Sequence, residues 1–272
     1  MYGKVDLTNL FSVSAIYTAH RQKFSPTYSF PGETHDFWEI VIVLDGELGV
    51  TAGQNILILP KGQAFLHEPM EFHRLWSEGN SRPEIIIISF SCRNMPPLKT
   101  RLFEINSLNR REAISLINSM RSIFVTDNVS VVGIHNSSSF DYQIITKKLE
   151  LFLLNILSDN IMEVAEPALQ SAKNYSEIIK ILENNLDKSL NISDIAKMCN
   201  MSEVSLKKTF NKYSGTGIKS YFNHLKMNEA ISMLRSGVSV RETATALGFS
   251  DQNYFSASFK RIVGEPPSSF KR

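Results

Sequence analysis

The C-terminal third of the chain contains one pattern written twice, and that repeat restricts the fold more than any other feature. Asp194-Ile-Ala-Lys-Met-Cys-Asn-Met-Ser-Glu-Val-Ser-Leu-Lys-Lys-Thr-Phe210 returns as Glu242-Thr-Ala-Thr-Ala-Leu-Gly-Phe-Ser-Asp-Gln-Asn-Tyr-Phe-Ser-Ala-Ser-Phe259. Each copy reads as a short helix with a small residue (Ala196, Ala244), a tight turn, and a second helix with apolar anchors four apart. The anchors are Leu206 and Phe210 in the first copy and Phe255 and Phe259 in the second, and that spacing sets each pair on one helical face. Ala196 to Ala244 is an offset of 48, whereas Phe210 to Phe259 and Gly215 to Gly264 are offsets of 49. The second copy therefore has one extra residue near its turn. Gly248 suits a turn of positive φ, where the first copy has Asn200, the next most tolerant residue. Ser202, and Ser250 or Asp251, are the candidate caps of the second helices, with Gly215 and Gly264 as their stops.

Between the copies, Thr216 to Ser236 reads as one helix, with Ile218, Tyr221, Phe222, Leu225, Ala230, Ile231 and Leu234 close to a helical period. About twenty residues rising 1.5 Å each span roughly 30 Å, close to the ~34 Å between successive major-groove openings on one face of B-DNA. Charge follows the same division. Residues 174–272 carry 14 Lys+Arg against 9 Asp+Glu, and residues 1–173 carry 15 against 18. The basic excess lies with the repeat, as neutralising phosphates requires. A helical bundle with a solvated basic face would satisfy the charge alone; the duplicated motif favours two DNA-reading modules.

Over residues 174–272 the chain resembles the AraC/XylS family of bacterial transcription factors. The second repeat and its tail, Ala244-Thr-Ala-Leu-Gly-Phe-Ser-Asp-Gln-Asn-Tyr-Phe-Ser-Ala-Ser-Phe-Lys-Arg-Ile-Val-Gly-Glu-Pro-Pro-Ser-Ser-Phe-Lys-Arg272, carry the likeness. The resemblance implies seven helices and two reading modules joined by the connecting helix. It implies base-facing side chains at Glu203, Val204, Lys207 and Lys208 in the first module and at Gln252, Asn253, Ser256 and Ala257 in the second. Lys can donate to guanine, and Gln or Asn can pair with adenine. Glu203 is equally suited to accepting from cytosine or to a plain role in the first helical turn. Ala257 stands where many relatives carry Arg, which points the second module toward shape, phosphates or the Gln252-Asn253 pair. Lys212, Lys219, Lys260 and Arg261 are the phosphate candidates, with simple solubility as their alternative. The implied partners are double-stranded DNA, a small-molecule effector, RNA polymerase and a second copy of the chain in a homodimer.

From Asp36 to Phe90 the rhythm changes. Short apolar runs (Phe37 to Leu44, Glu47 to Thr51, Asn55 to Leu59, Ala64 to His67, Phe72 to Trp76, Glu84 to Phe90) are separated by turn signals such as Asp45-Gly46, Ala52-Gly53 and Pro60-Lys61-Gly62. Strands at this spacing indicate an all-β sandwich or barrel. The order His35-x3-Glu39-x6-Gly46, then Pro60-x-Gly62 and His73, resembles the cupin sensor domain that precedes this type of DNA-binding module. Metal-dependent cupins bind an ion through two histidines and a glutamate of the first motif and a histidine of the second. Here Glu33 stands where the first histidine would be, leaving His35, Glu39 and His73, with His67 in reserve. Sensor cupins lack the ion as a rule, so no metal and no cofactor are expected. His35, Trp38, Glu39, Phe65, His73 and Trp76 are instead expected to line an effector pocket of apolar walls and a few polar handles, although the aromatics would serve equally as ordinary core.

Asn109 to Thr126 and Phe140 to Asp159 read as helices with apolar stripes, the second through Ile144, Ile145, Leu149, Phe152, Leu153 and Ile156. Such stripes are core or, by the resemblance, a homodimer face. The expected organisation is a cupin-like sensing and dimerisation domain at 1–158, a linker at 159–173 containing Pro167, and an all-α DNA-binding domain at 174–272. No apolar stretch reaches membrane-spanning length, and Met1 to Ala19, with Lys4 and Asp6, lacks the apolar core of a leader, so a cytoplasmic protein without a membrane partner is expected. Cys92 and Cys199 stand alone, and no serine or cysteine is paired with a histidine as catalysis requires, so no enzyme is expected. Two other readings remain open at this point: a metal-dependent oxygenase or isomerase fused to a DNA-binding tail, and a constitutive DNA-binding protein whose barrel only dimerises.

Overall fold

The computed structural model describes residues 11–95, 98, 100–127, 129–135, 139–159 and 170–270. The chain divides into two compact units, one built on the N-terminal strands and one on the C-terminal helices. Of the stretch expected to be a linker, 160–169 lie outside the described residues, as do Pro96, Pro97 and the two C-terminal residues, while Asp159 still belongs to a helix and 170–173 already form the start of the next.

In the first unit, strands β1 (Ser12–Lys23), β2 (Trp38–Asp45), β3 (Glu47–Ala52), β4 (Asn55–Pro60), β5 (Gln63–His67), β6 (His73–Ser77), β7 (Glu84–Arg93), β8 (Leu102–Glu104), β9 (Phe124–Asp127) and β10 (Ser130–Ile134) form two sheets. One has the order β8-β5-β2-β7-β1-β10-β9 and the other β4-β3-β6. The six expected strands are present with each boundary within one residue, except that the last runs on to Arg93 instead of ending at Phe90. β1 and β8–β10 were not anticipated. β1 alternates polar and apolar residues weakly, and it is held by its ten-residue register with β7, from Ser12↔Arg93 to Lys23↔Glu84. Two helices, α1 (Ser107–Ile123) and α2 (Ser139–Asp159), cover one face of the large sheet. Ile40, Ile42, Leu44, Ile86, Ile88 and Phe90 pack there against Leu116, Ile117, Met120, Leu149, Phe152 and Ile156. Each such side chain contributes about 1.5–3 kcal/mol when fully buried. The first helix ends at Ile123 rather than Thr126, because Phe124 and Val125 are recruited into a ladder with Ile134 and Gly133. Ile144 lies outside the buried stripe of α2, 51% exposed.

The second unit contains α3 (Gln170–Glu183), α4 (Ile192–Met198), α5 (Glu203–Ser214), α6 (Ile218–Arg235), α7 (Val240–Ala246), α8 (Gln252–Val263) and a closing 3-10 turn at Pro267–Phe270. The repeat extends to hydrogen-bond detail. Asn191 caps α4 and Ser239 caps α7, each in a reciprocal box with the acid three residues on, Asp194 or Glu242. The turns close with Met201 N donating to Ala196 O and Phe249 N donating to Ala244 O, both at 2.9 Å. All these pairs keep the offset of 48. The caps of the following helices, Ser202 and Asp251, are 49 apart. Ser250 is therefore the additional residue, and it shifts the cap of the second copy from serine to aspartate. Asn200 and Gly248 both have positive φ, 52° and 71°, and Gly215 and Gly264 end α5 and α8 in the left-handed region.

α6 is the expected connector, at 18 residues roughly 27 Å long. Its buried side includes Tyr221, Phe222, Met227, Ala230, Ile231 and Leu234. Leu225 is only partly buried, and the next residue, Lys226, is 5% exposed. Its ammonium donates to Lys188 O and Leu247 O, both at 2.8 Å, and lies over the rings of Phe222 and Phe249 at 5.0 and 5.2 Å. Burial lowers its pKa. Lys226 thus ties the connector to the segment before the first module and to the turn of the second.

Two stability predictions follow from this packing. A Cβ on Gly248 would stand 2.1 Å from Asp187 O, whereas one on Gly264 meets nothing within 4 Å. Both positions have positive φ, so urea unfolding should find Gly248→Ala about 1–3 kcal/mol more destabilising than Gly264→Ala. Lys226→Met keeps the aliphatic stem but removes two hydrogen bonds to backbone carbonyls, and the same measurement should show a loss of about 1–3 kcal/mol.

Candidate functional site

Two sets of side chains stand out, one inside the β-rich unit and one on the surface of the helical unit. The first follows from strand alternation. β2 is hydrogen-bonded to β5 and to β7, with Glu39 opposite His67 on one side and Ser89 on the other. β1 adds Thr18 opposite Ser89. Directly opposed residues of antiparallel strands share a face, so Glu39, His67, Ser89 and Thr18 are gathered on the side of the sheet away from α1 and α2. His73 comes in from β6. An antiparallel bridge fixes Glu33 beside it, with reciprocal backbone hydrogen bonds of 3.0 Å between the two residues.

The polar contacts are specific. Glu39 is 4% exposed, and its Oε2 accepts from Ser89 Oγ at 2.6 Å, while Ser89 Oγ lies 2.5 Å from Thr18 Oγ1. His73, 1% exposed, donates from Nδ1 to Glu71 O at 3.1 Å, and its Nε2 stands 3.5 Å from Glu39 Oε1 and 3.7 Å from Glu33 Oε1. His35 donates from Nδ1 to Phe37 O at 2.9 Å and turns its Nε2 to within 3.7 Å of Glu39 Oε2. A carbonyl can only accept, which assigns the proton on both Nδ1 atoms. The His67 ring stacks on that of His73 at 4.4 Å, and its Nδ1 meets Glu71 Oε2 at 3.2 Å. Glu71 also takes a two-pronged contact from Arg101 at 2.7 and 2.9 Å.

Burial and charge set the protonation. Burial works against an ionised Glu39, but the imidazoles of His35, His73 and His67 outweigh it and hold the carboxyl well below its ordinary range. Burial also opposes a charge on His73, and Glu33 and Glu39 outweigh that, raising it to about 10. His67, buried and facing a charged His73, is pushed down to about 4 despite Glu71. Glu71 falls to about 2 because His67 and Arg101 overcome its burial. The interior thus presents fixed donors and acceptors in low dielectric, the setting in which a polar ligand is recognised most strongly.

Among the residues expected to line this site, His35, Glu39 and His73 come together, and Phe65 sits at its edge, 5.0 Å from the His67 ring. The two tryptophans do not join them. Trp38 precedes Glu39 and so points to the opposite face, where it packs against the core beneath the helices. Trp76 alternates away from His73 and Leu75 on β6; its ring covers Gly49, and its indole donates to Glu78 Oε2 at 2.6 Å. Sequence reasoning missed Thr18 and Ser89, which the strand register reveals, and Glu71 and Arg101, which loop packing brings against His67, and it placed His67 in reserve although it is 0% exposed within the cluster.

On the helical unit, α5 and α8 each bury their two anchors: Leu206, Phe210, Phe255 and Phe259 are all 0% exposed. The opposite faces are open. Glu203, Val204, Lys207 and Lys208 on α5, and Gln252, Asn253, Ala257 and Lys260 on α8, are exposed, and Ser256 is half-buried. Val204 is 77% exposed and Tyr254, which sequence reasoning passed over, 63%. Glu203 Oε2 lies 3.6 Å from Lys207 Nζ, a turn apart. Lys212, Lys219 and Arg261 are exposed as well.

Comparison with known proteins agrees with both halves. A family model described as a helix-turn-helix domain matches residues 195–272, and one described as an AraC-like ligand binding domain matches residues 18–123. The Msm operon regulatory protein of Streptococcus mutans is 26% identical over 100% of this chain and 96% of its own length. The HTH-type transcriptional activator RhaS of Pectobacterium atrosepticum is 22% identical over 96% of this chain and 94% of its own. Among solved structures, ToxT from Vibrio cholerae O395 aligns over 96% of both chains with 15% identity and a TM-score of 0.38. No described helix is long and apolar enough to cross a membrane. With a ligand-binding barrel followed by paired helix-turn-helix modules, the chain belongs to the AraC family of DNA-binding transcriptional regulators.

Proposed function

We propose that α5 and α8 are the recognition helices, and that a small polar effector, a sugar or related metabolite, occupies the interior around Glu39, His67 and His73 and shifts how DNA is engaged. The observation that carries the reading is the matched pair itself: two helices with the same anchors, turns and stops, each presenting an open polar face to solvent. On α5 the side chains are two lysines and Val204, suited to phosphate or guanine and to the thymine methyl. On α8 they are Gln252, Asn253, Ser256 and Ala257, with Lys260 toward the backbone. The domain limits follow this division: sensing and dimerisation in 1–158, DNA reading in 174–272.

The interior favours a receptor over a catalytic centre. Its one centrally placed serine, Ser89, donates to Glu39 and so is engaged as a support. The chain in this reading works in the cytoplasm, acts through DNA and RNA polymerase, and carries out no reaction.

A homodimer completes the proposal. Phe140, Ile144 and Leu151, 70%, 51% and 59% exposed, fall within one narrow stripe of α2. They line a groove of about 720 Å³ together with Ser12, Val13 and Ser14. The groove floor is fixed by Val13 N donating to Glu150 Oε1 at 2.9 Å.

Replacing Lys207 and Lys208 together with Ala should weaken duplex binding and lower the slope of log K against log salt by roughly 2, at about 0.9 per phosphate contact. An unchanged slope with unchanged base preference removes these residues from the interface. Ile144→Asp with Leu151→Asp should convert dimer to monomer in sedimentation, and a dimer surviving both changes would place the interface elsewhere.

A further inference from the structure

We propose that Lys226 is a positioning residue for DNA recognition, which holds α5 and α8 at one fixed separation and so makes the chain selective for the spacing of the two stretches of groove it reads. The proposal rests on the reading of α5 and α8 as recognition helices. Lys226 is buried and acts in it without touching DNA.

The repeat singles this residue out. At the offset of 48 that relates the caps Asn191 and Ser239, the counterpart of Lys226 is Ile178 of α3, an aliphatic side chain with 0% exposure. The first copy thus fills the position with hydrocarbon, as ordinary core does. The second copy puts a cation there, although removing an ammonium from water is unfavourable unless it is hydrogen-bonded.

The partners of the ammonium account for the exchange. Lys188 O, 2.8 Å away, lies three residues before Asn191, the cap that opens the first module. Leu247 O, also at 2.8 Å, belongs to the residue that ends α7, in the turn of the second. One side chain of the connector therefore hydrogen-bonds the approach to one module and the turn of the other. That turn is also held from a second direction, since Gly248 lies so close to Asp187 that a Cβ would stand 2.1 Å from its carbonyl oxygen. Phe249, whose ring faces the ammonium at 5.2 Å, carries the constraint into α8 through its edge-on contact with the buried anchor Phe255 at 5.2 Å.

The ends of α6 supply no equivalent constraint. Gly217 caps its start without a side-chain hydrogen bond, and a Cβ on Gly217, or on Gly237 just past its end, would meet nothing within 4 Å. The angle between the modules is set by what crosses between them, and Lys226 is a polar part of that crossing. On DNA, each inserted base pair moves one half-site by about 3.4 Å and turns it by roughly 35° about the axis. A rigid pair of readers cannot follow such a change, and the gain from engaging both at once is then lost.

The experiment uses the full-length chain and a duplex selected by the wild type from a random-sequence pool, in which footprinting is expected to find two protected segments. Adding or removing one or two base pairs between them should weaken wild-type binding about tenfold or more. In Lys226→Met the penalty should shrink to about threefold or less, and Lys226→Arg, which can still donate to both carbonyls, should restore it. Duplexes carrying one segment alone should be bound equally by all three. A uniform loss of affinity on every duplex, or an unchanged spacing penalty in Lys226→Met, would overturn the proposal. Lys226→Gln replaces Lys226→Met if the latter does not fold. A DNA-free measurement uses nitroxides on Val204→Cys and Tyr254→Cys, 77% and 63% exposed in the native chain, in a Cys92→Ser background. Pulsed electron resonance should give a narrow distance with Lys226 present and a broad one with methionine, and a broad distance with Lys226 present would also overturn the proposal. A single protected segment beside a narrow distance would instead overturn the two-helix reading, and this proposal with it, so the two failures differ in what the labels report.

Discussion

Strand β2 is hydrogen-bonded along both edges, and alternation along it divides the N-terminal unit into two chemically different halves. Ile40, Ile42 and Leu44 look toward α1 and α2 and build the apolar core, while Glu39 looks the other way, into a pocket of histidines and hydroxyls. A slip of one residue in either ladder would send Glu39 into the aliphatic core and Ile40 into the polar site. Burying an unpaired carboxylate costs more than any one aliphatic contact returns. The register is thus held by both faces at once, and the geometry of the site is a by-product of the core.

The helical unit achieves similar rigidity with a buried cation. Lys226 is buried, and its ammonium reaches two carbonyls: Lys188 O in the segment after α3 and Leu247 O at the end of α7. Gly248 allows the adjoining turn to press against Asp187. Together they fix the second module against the segment that leads into the first. Two modules joined by a helix alone would be free to swing about its ends.

Much of this was legible in the sequence, and the reasons differ by region. The repeat, its caps, its left-handed stops and its extra residue are local properties, written in Asn200, Gly215, Gly248 and Gly264, and the structure returns them nearly unchanged. The six strands between Asp36 and Phe90 were legible for the same reason, since each is bounded by its own turn. β1 and the β9–β10 hairpin were not, because they exist through partners distant in the chain. The candidate site divides along the same line. His35, Glu39 and His73 were recognisable by motif, but Ser89, Glu71 and Arg101 are brought in by pairing and packing. Trp38 and Trp76 were misplaced because composition says nothing about which face of a strand a residue occupies.

The additional residue Ser250 gives the two modules different caps and a different order of charges along their recognition helices. It leaves serine at the head of α5 but puts the carboxylate of Asp251 at the head of α8. α5 opens with Glu203, which is paired with Lys207 a turn later, and Lys208 beside them leaves its exposed face with a net positive charge. α8 has its carboxylate at the cap and the amides of Gln252 and Asn253 in its exposed first turn, and keeps its cations, Lys260 and Arg261, for its last turn. A chain engaging DNA through both helices would therefore have a front and a back: one grip sensitive to ionic strength and tolerant of sequence, the other the reverse. Any target it prefers would inherit that polarity as an unsymmetrical pair of half-sites.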